Sequence, residues 1–157
     1  MLKYVNFDIV FREVPDEVTL AINLSCCPCR CKGCHSPQLQ TDIGDELTPD
    51  ILNGLLDQYG KTITCLCFMG GDNAPLEVAA LAAAIRPRVK TAWYSGRDHL
   101  PKDFPLQHFS YVKLGPYLEQ YGPLDHPTTN QRMYRVTASG TLEDITPRMR
   151  FGSRFAD

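Results

Sequence analysis

Five of the seven cysteines of this 157-residue chain fall within nine residues: Cys26, Cys27, Cys29, Cys31 and Cys34. Where thiols stay reduced, so dense a group reads as a metal or redox site rather than a disulfide staple. Two ligand sets can be drawn from it. The pairs Cys26/Cys29 and Cys31/Cys34 have the C-x-x-C spacing of zinc knuckles. Only Arg30 separates those pairs, whereas the knuckles of a zinc ribbon stand roughly 15–20 residues apart. The other set is Cys27, Cys31 and Cys34, spaced C-x3-C-x2-C. Three thiolates so arranged can hold three irons of a cubic cluster and leave the fourth open to a non-protein ligand, as a catalytic metal requires. A ferredoxin-type C-x2-C-x2-C run is absent, because position 32 is Lys. The remaining thiols, Cys65 and Cys67, alternate in the apolar run ITCLCFM and read as core.

The elements that position these residues alternate regularly. Residues 17–24 (EVTLAINL) predict a strand that runs straight into the cysteine loop. Thr48, Pro49 and Asp50 form a helix start, with Ile51, Leu52, Leu55, Leu56 and Tyr59 at helical spacing and Gly60 as the stop. Residues 62–69 predict a buried strand ending in Gly70, Gly71, Asp72 and Asn73. Either of the last two is placed to cap a helix over residues 75–86. A third strand, 90–94, ends at Ser95 and Gly96. An undefined connection over 98–108 leads to a fourth strand, 109–114, ending at Gly115 and Pro116. Residues 133–137 and 141–145 read as a C-terminal hairpin.

Strand, helix, strand is the pattern of a parallel α/β domain, whose ligands gather at the carboxyl ends of the strands. A closed eight-fold barrel typically needs about 250 residues, so the expectation is an open, partial (β/α) barrel with a small C-terminal hairpin. It comprises one domain over residues 1–146 and a tail over 147–157.

Composition narrows the function classes. The net charge is −2, which disfavours a nucleic-acid-coating protein. No apolar run approaches a membrane span, and the first residues lack the apolar segment of a signal peptide. The expectation is a cytoplasmic protein with neither a nucleic-acid nor a membrane partner. No Ser/His/Asp or paired-carboxylate arrangement competes as a hydrolytic site.

The string CPCRCKGCHSP (27–37) resembles the signature of radical S-adenosylmethionine enzymes. Among them it is most similar to the activating proteins of anaerobic (class III) ribonucleoside-triphosphate reductase. FMGGD (68–72), GPY (115–117) and TNQR (129–132) resemble the same family in the same order. The resemblance runs from about residue 18 to 134. It implies a radical S-adenosylmethionine type of partial barrel and a [4Fe-4S] cluster on Cys27, Cys31 and Cys34, with one open iron that chelates S-adenosylmethionine. One-electron reduction then splits the sulfonium into methionine and a 5′-deoxyadenosyl radical. In the family that radical takes hydrogen from a glycine of the large reductase subunit, the protein substrate. A low-potential donor such as flavodoxin or ferredoxin supplies the electron.

The resemblance further implies that Gly33 and His35, through their backbone, and Gly70, Gly71, Asp72 and Ser95 line the S-adenosylmethionine site, with Asp72 receiving the methionine ammonium. Asn130 and Arg132 are candidates for contact with ligand or partner, and Trp93 reads as core. The chain departs from the family at Gly33, where many relatives have an aromatic residue, and at Leu114, where some have an acid. Two alternatives stand beside the activase: a radical S-adenosylmethionine enzyme acting on a small molecule or peptide, and a non-catalytic zinc-binding interaction module.

Overall fold

The computed structural model describes residues 2–25 and 37–149. The cysteine-loop expectations (Cys26, Cys27, Cys29, Cys31, Gly33, Cys34 and His35) and residues 150–157 lie outside the described residues. The rest is a mixed α/β fold built on one open sheet of eight strands. These are β1 (Lys3–Val10), β2 (Thr19–Leu24), β3 (Asp45–Glu46), β4 (Cys65–Met69), β5 (Lys90–Tyr94), β6 (Tyr111–Leu114), β7 (Arg132–Val136) and β8 (Leu142–Asp144). Their order across the sheet is β3-β1-β2-β4-β5-β6-β7-β8. The central four, β2, β4, β5 and β6, are parallel. The flanking strands are antiparallel.

Two helices connect the parallel strands: α1 (Pro49–Tyr59) and α2 (Pro75–Ile85). Helix α1 starts as its sequence requires, with Thr48 in extended backbone and its hydroxyl accepting from the Ile51 N–H at 3.2 Å. Both helices pack on one face of the sheet. There Leu52, Leu56, Val78, Ala82 and Ile85 meet Leu20, Ile22, Leu66, Phe68, Trp93 and Val112 in one core. The opposite face carries a smaller core of Cys65, Cys67, Ala92 and Met133, covered by Val14 from the β1–β2 connection and by Ile145 and Met149. Cys65 and Cys67 are fully buried, as expected.

Boundaries differ from the sequence expectation where short-range hydrogen bonds compete. The amides of Thr62 and Ile63 close the end of α1 on the Tyr59 carbonyl, so β4 begins only at Cys65. Phe109 closes a 3-10 turn on Leu106, so β6 begins at Tyr111. The α2 cap is Ala74, without a side-chain cap, and neither Asp72 nor Asn73; the Asp72 carboxylate is drawn sideways to the next strand, as described below. Strands β1 and β3 were not expected. The first has a readable signal in Val5, Phe7 and Ile9 alternating with Asn6 and Asp8. A 3-10 turn, Thr146–Met149, follows β8 and packs Met149 into the smaller core. Among the described residues no helix is long and apolar enough to cross a membrane.

Candidate active site at the carboxyl edge of the sheet

Because β2, β4, β5 and β6 are parallel, the segments that follow them converge on one edge. These are Ser25 at the stem of the cysteine loop, Gly70–Asp72, Ser95–Arg97 and Gly115–Pro116. The segment leading into antiparallel β7, with Asn130 and Gln131, reaches the same edge. Four motifs far apart in sequence are thus brought together, as the α/β pattern required.

Asp72 is the centre of this edge. Its side chain is 2% exposed. One carboxylate oxygen accepts the Ser95 hydroxyl at 2.5 Å, and the other accepts the Gly96 N–H at 2.9 Å. The Arg97 guanidinium donates to the Asp72 carbonyl at 3.1 Å and stands 3.9 Å from the carboxylate. The Ser95 oxygen in turn accepts the Arg97 N–H at 3.0 Å. Ser95 and Asp72 therefore lie together, but facing each other: the carboxylate expected to receive an ammonium is engaged by the neighbouring loop.

The next link is Lys113, 8% exposed. Its ammonium donates to the Ser95 carbonyl (2.9 Å), the Gly115 carbonyl (3.1 Å) and the Gln131 Oε1 (3.0 Å), tying the ends of β5, β6 and β7 together. Arg97 and Lys113 belong to none of the motifs read from the sequence, and Gln131 enters there only as part of TNQR. Lys113 had a signal, being a lone cation inside an apolar strand.

The two glycines differ in what they do. Both have positive φ, 104° at Gly70 and 87° at Gly71. A Cβ on Gly71 would stand 2.6 Å from Val78 Cγ2 and 2.9 Å from Leu24 Cδ1, so this glycine is required by packing between β2 and α2. At Gly70 a Cβ would meet only ordinary contacts. The Gly70 carbonyl accepts the indole N–H of the buried Trp93 at 2.7 Å.

Asn130 and Arg132 separate in role. Asn130 donates to the Pro116 carbonyl at 3.0 Å, and its Oδ1 is buried without a partner among the described residues. Arg132 stands 3.7 Å from Asp144 with its side chain half exposed. The Ser25 hydroxyl, next to Cys26, is likewise buried and unpartnered among the described residues. Buried polar atoms of this kind are costly unless something meets them.

Among the described residues no group of three or more His, Cys, Asp or Glu side chains could hold a metal ion. Cys65 is no substitute donor: burial, followed by the nearby Glu17 charge, pushes its thiol up to about 12. Burial likewise holds the Cys67 thiol well above its ordinary value. The donor set suited to an iron–sulfur group is the thiolates of Cys27, Cys31 and Cys34. The chain enters their loop at this edge through Ser25, whose N–H donates to the Lys3 carbonyl at 3.0 Å. The Ser25 and Asn130 oxygens, at the ends of β2 and β7 on this edge, are the two buried side-chain oxygens there without a partner among the described residues. No protein-family model, curated protein or solved structure matches the chain.

Proposed function

We propose that the chain is a glycyl-radical activase of the radical S-adenosylmethionine type, whose protein substrate is anaerobic ribonucleoside-triphosphate reductase. The observation that carries this reading is the joining of a C-x3-C-x2-C loop to the carboxyl end of β2, on the edge that also gathers Gly70–Asp72, Ser95–Arg97 and Gly115–Pro116. Cys27, Cys31 and Cys34 would hold the [4Fe-4S] cluster. When bound, cluster and S-adenosylmethionine supply a carbon-centred radical able to take a hydrogen atom from a glycine Cα.

The chain's own contribution is positioning. Ser25 and Asn130 offer unpaired oxygens to ligand donors. The Asp72–Ser95–Arg97 and Lys113 networks hold four loops in register, which fixes the ligand's surroundings before it arrives. Asp72 acts here through the loops it holds. A low-potential donor, flavodoxin or ferredoxin, would deliver the electron. A sheet that stays open rather than closing into a barrel suits a site that must admit a segment of another protein.

The test is anaerobic reconstitution followed by iron, sulfide and zinc analysis. The reduced protein is then incubated with S-adenosylmethionine and assayed for 5′-deoxyadenosine. About four irons and four sulfides per chain with 5′-deoxyadenosine formed, both lost in Cys31→Ala, is the expected result. A colourless protein with one zinc and no sulfide would overturn the reading in favour of a zinc module.

A further inference from the structure

The sheet face opposite the helices carries a pocket of about 490 Å³, walled by the β1–β2 connection, the ends of β4 and β5 and the loop after β6. That volume lies in the range of small-molecule sites. Its apolar lining is Met69, Leu124 and Met149, together with the Tyr94 side chain, whose hydroxyl is held by the Glu13 carbonyl. Glu13 lines it too, and one oxygen of its carboxylate is buried with no hydrogen-bond partner among the described residues. Arg12 stands 3.9 Å from Asp125 at the rim, and Lys113, 5.4 Å from the Tyr94 ring centre, donates to three carbonyl-type oxygens.

An unpaired carboxylate oxygen withdrawn from water is among the costlier things a fold can keep. Here it is kept beside an aromatic ring and two thioethers, surroundings that favour a cation with an apolar body. We propose that this pocket binds an organic cation, an ammonium, sulfonium or guanidinium group, with Glu13 as its counter-charge. The pocket touches Met69, immediately before Gly70 in the chain. The choice of S-adenosylmethionine as one probe rests on the proposed function; the charge argument does not. The other source of the same chemistry is a basic side chain of a protein partner, for which N-acetylarginine amide is the probe.

Binding of both probes, and of uncharged 5′-methylthioadenosine, is measured by anaerobic calorimetry on wild type, Glu13→Gln and Leu124→Trp. The expectation is that wild type binds at least one cation, Glu13→Gln binds it about 10- to 100-fold more weakly, and Leu124→Trp weakens binding by obstructing part of the pocket. Any affinity for the uncharged nucleoside should be the same in wild type and Glu13→Gln. Circular dichroism and melting temperature check folding, and Glu13→Gln should melt no lower than wild type because it removes a charge from a carboxylate with one oxygen buried and unpartnered among the described residues.

The inference falls if neither cation binds wild type, or if Glu13→Gln binds as tightly as wild type. S-adenosylmethionine bound independently of Glu13, with 5′-deoxyadenosine formed, would sink this inference and leave the activase standing. Glu13-dependent binding of the arginine probe by a protein that makes no 5′-deoxyadenosine would do the reverse.

Discussion

Asp72 offers the sharpest test of how the edge site is built. Replacing it with Ala removes two acceptors from a carboxylate whose side chain is 2% exposed, and leaves the Ser95 hydroxyl and the Gly96 N–H without their partner. Hydrogen bonds to a charged group contribute about 1.5–3 kcal/mol each, and breaking a buried charged arrangement costs about 3–5 kcal/mol in all. The Arg97 pairing at 3.9 Å is 42% exposed on the arginine side, so screening limits it to under about 1 kcal/mol. Asp72→Ala should therefore lose about 3–5 kcal/mol in urea unfolding and about 6–20 °C in melting temperature. Asp72→Asn keeps an oxygen for Ser95 but turns an amide toward the Gly96 N–H, and should lose about 1–3 kcal/mol. In a double-mutant cycle with Ser95→Ala the losses should be clearly less than additive. Asp72→Ala within 1 kcal/mol of wild type, yet unable to bind S-adenosylmethionine, would refute the reasoning and return the carboxylate to the ligand.

Other expectations follow from single contacts. Gly71→Ala should cost about 2–4 kcal/mol in urea unfolding, from positive φ and from its clash with Val78 and Leu24. Gly54→Ala, in mid-helix with open space around it, should instead stabilise by about 0.5–1 kcal/mol. Burial alone would raise the Glu17 carboxyl, but hydrogen bonds from Thr64, Lys90 and Tyr111 and the Lys90 charge hold it below its ordinary value of 4.5. That stabilisation is present above pH 4.5 and is lost as pH falls through the depressed value, so the stability gap between wild type and Glu17→Gln should shrink on acidification below 4.5. In the apo protein, alkylation at pH 8 should label at most the five loop thiols by mass spectrometry. Cys65 and Cys67, buried and hard to ionise, should react only on unfolding.

What the sequence made legible was the parallel centre, because its signals are local. Thr48, Pro49 and Gly60 bound α1 as read, and the run CLCFM is the buried strand it looked like. The misses at the site are long-range. Nothing within residues 70–75 says that Asp72 will bond to Ser95 and Gly96 rather than cap α2, since that choice depends on β5 arriving alongside β4. Glu13 carries no pattern at all, and it gains meaning only when the β1–β2 connection folds over the smaller core beside Tyr94. Lys113 was visible as an anomaly, but its three acceptors come from three different strand ends.

The register explains why one edge collects so much. Asn23 pairs with Met69, Met69 with Tyr94, Tyr94 with Lys113 and Lys113 with Met133, a row crossing five strands within two residues of the edge loops. Paired residues share a face, and this row lies on the face that α1 and α2 leave open. A one-residue slip of β2, β4, β5 or β6 would turn its member of the row toward the helix-side core and could bring Ile22, Phe68, Trp93 or Val112 onto the open face in its place. The Lys113 and Asp72 networks oppose such slippage, because each spans neighbouring strand ends by hydrogen bonds that a shifted register could not make. Their first duty is therefore to the alignment of the row. The pocket beside Met69 and Tyr94, and the unpaired oxygens of Ser25 and Asn130, can serve a ligand only while that alignment holds.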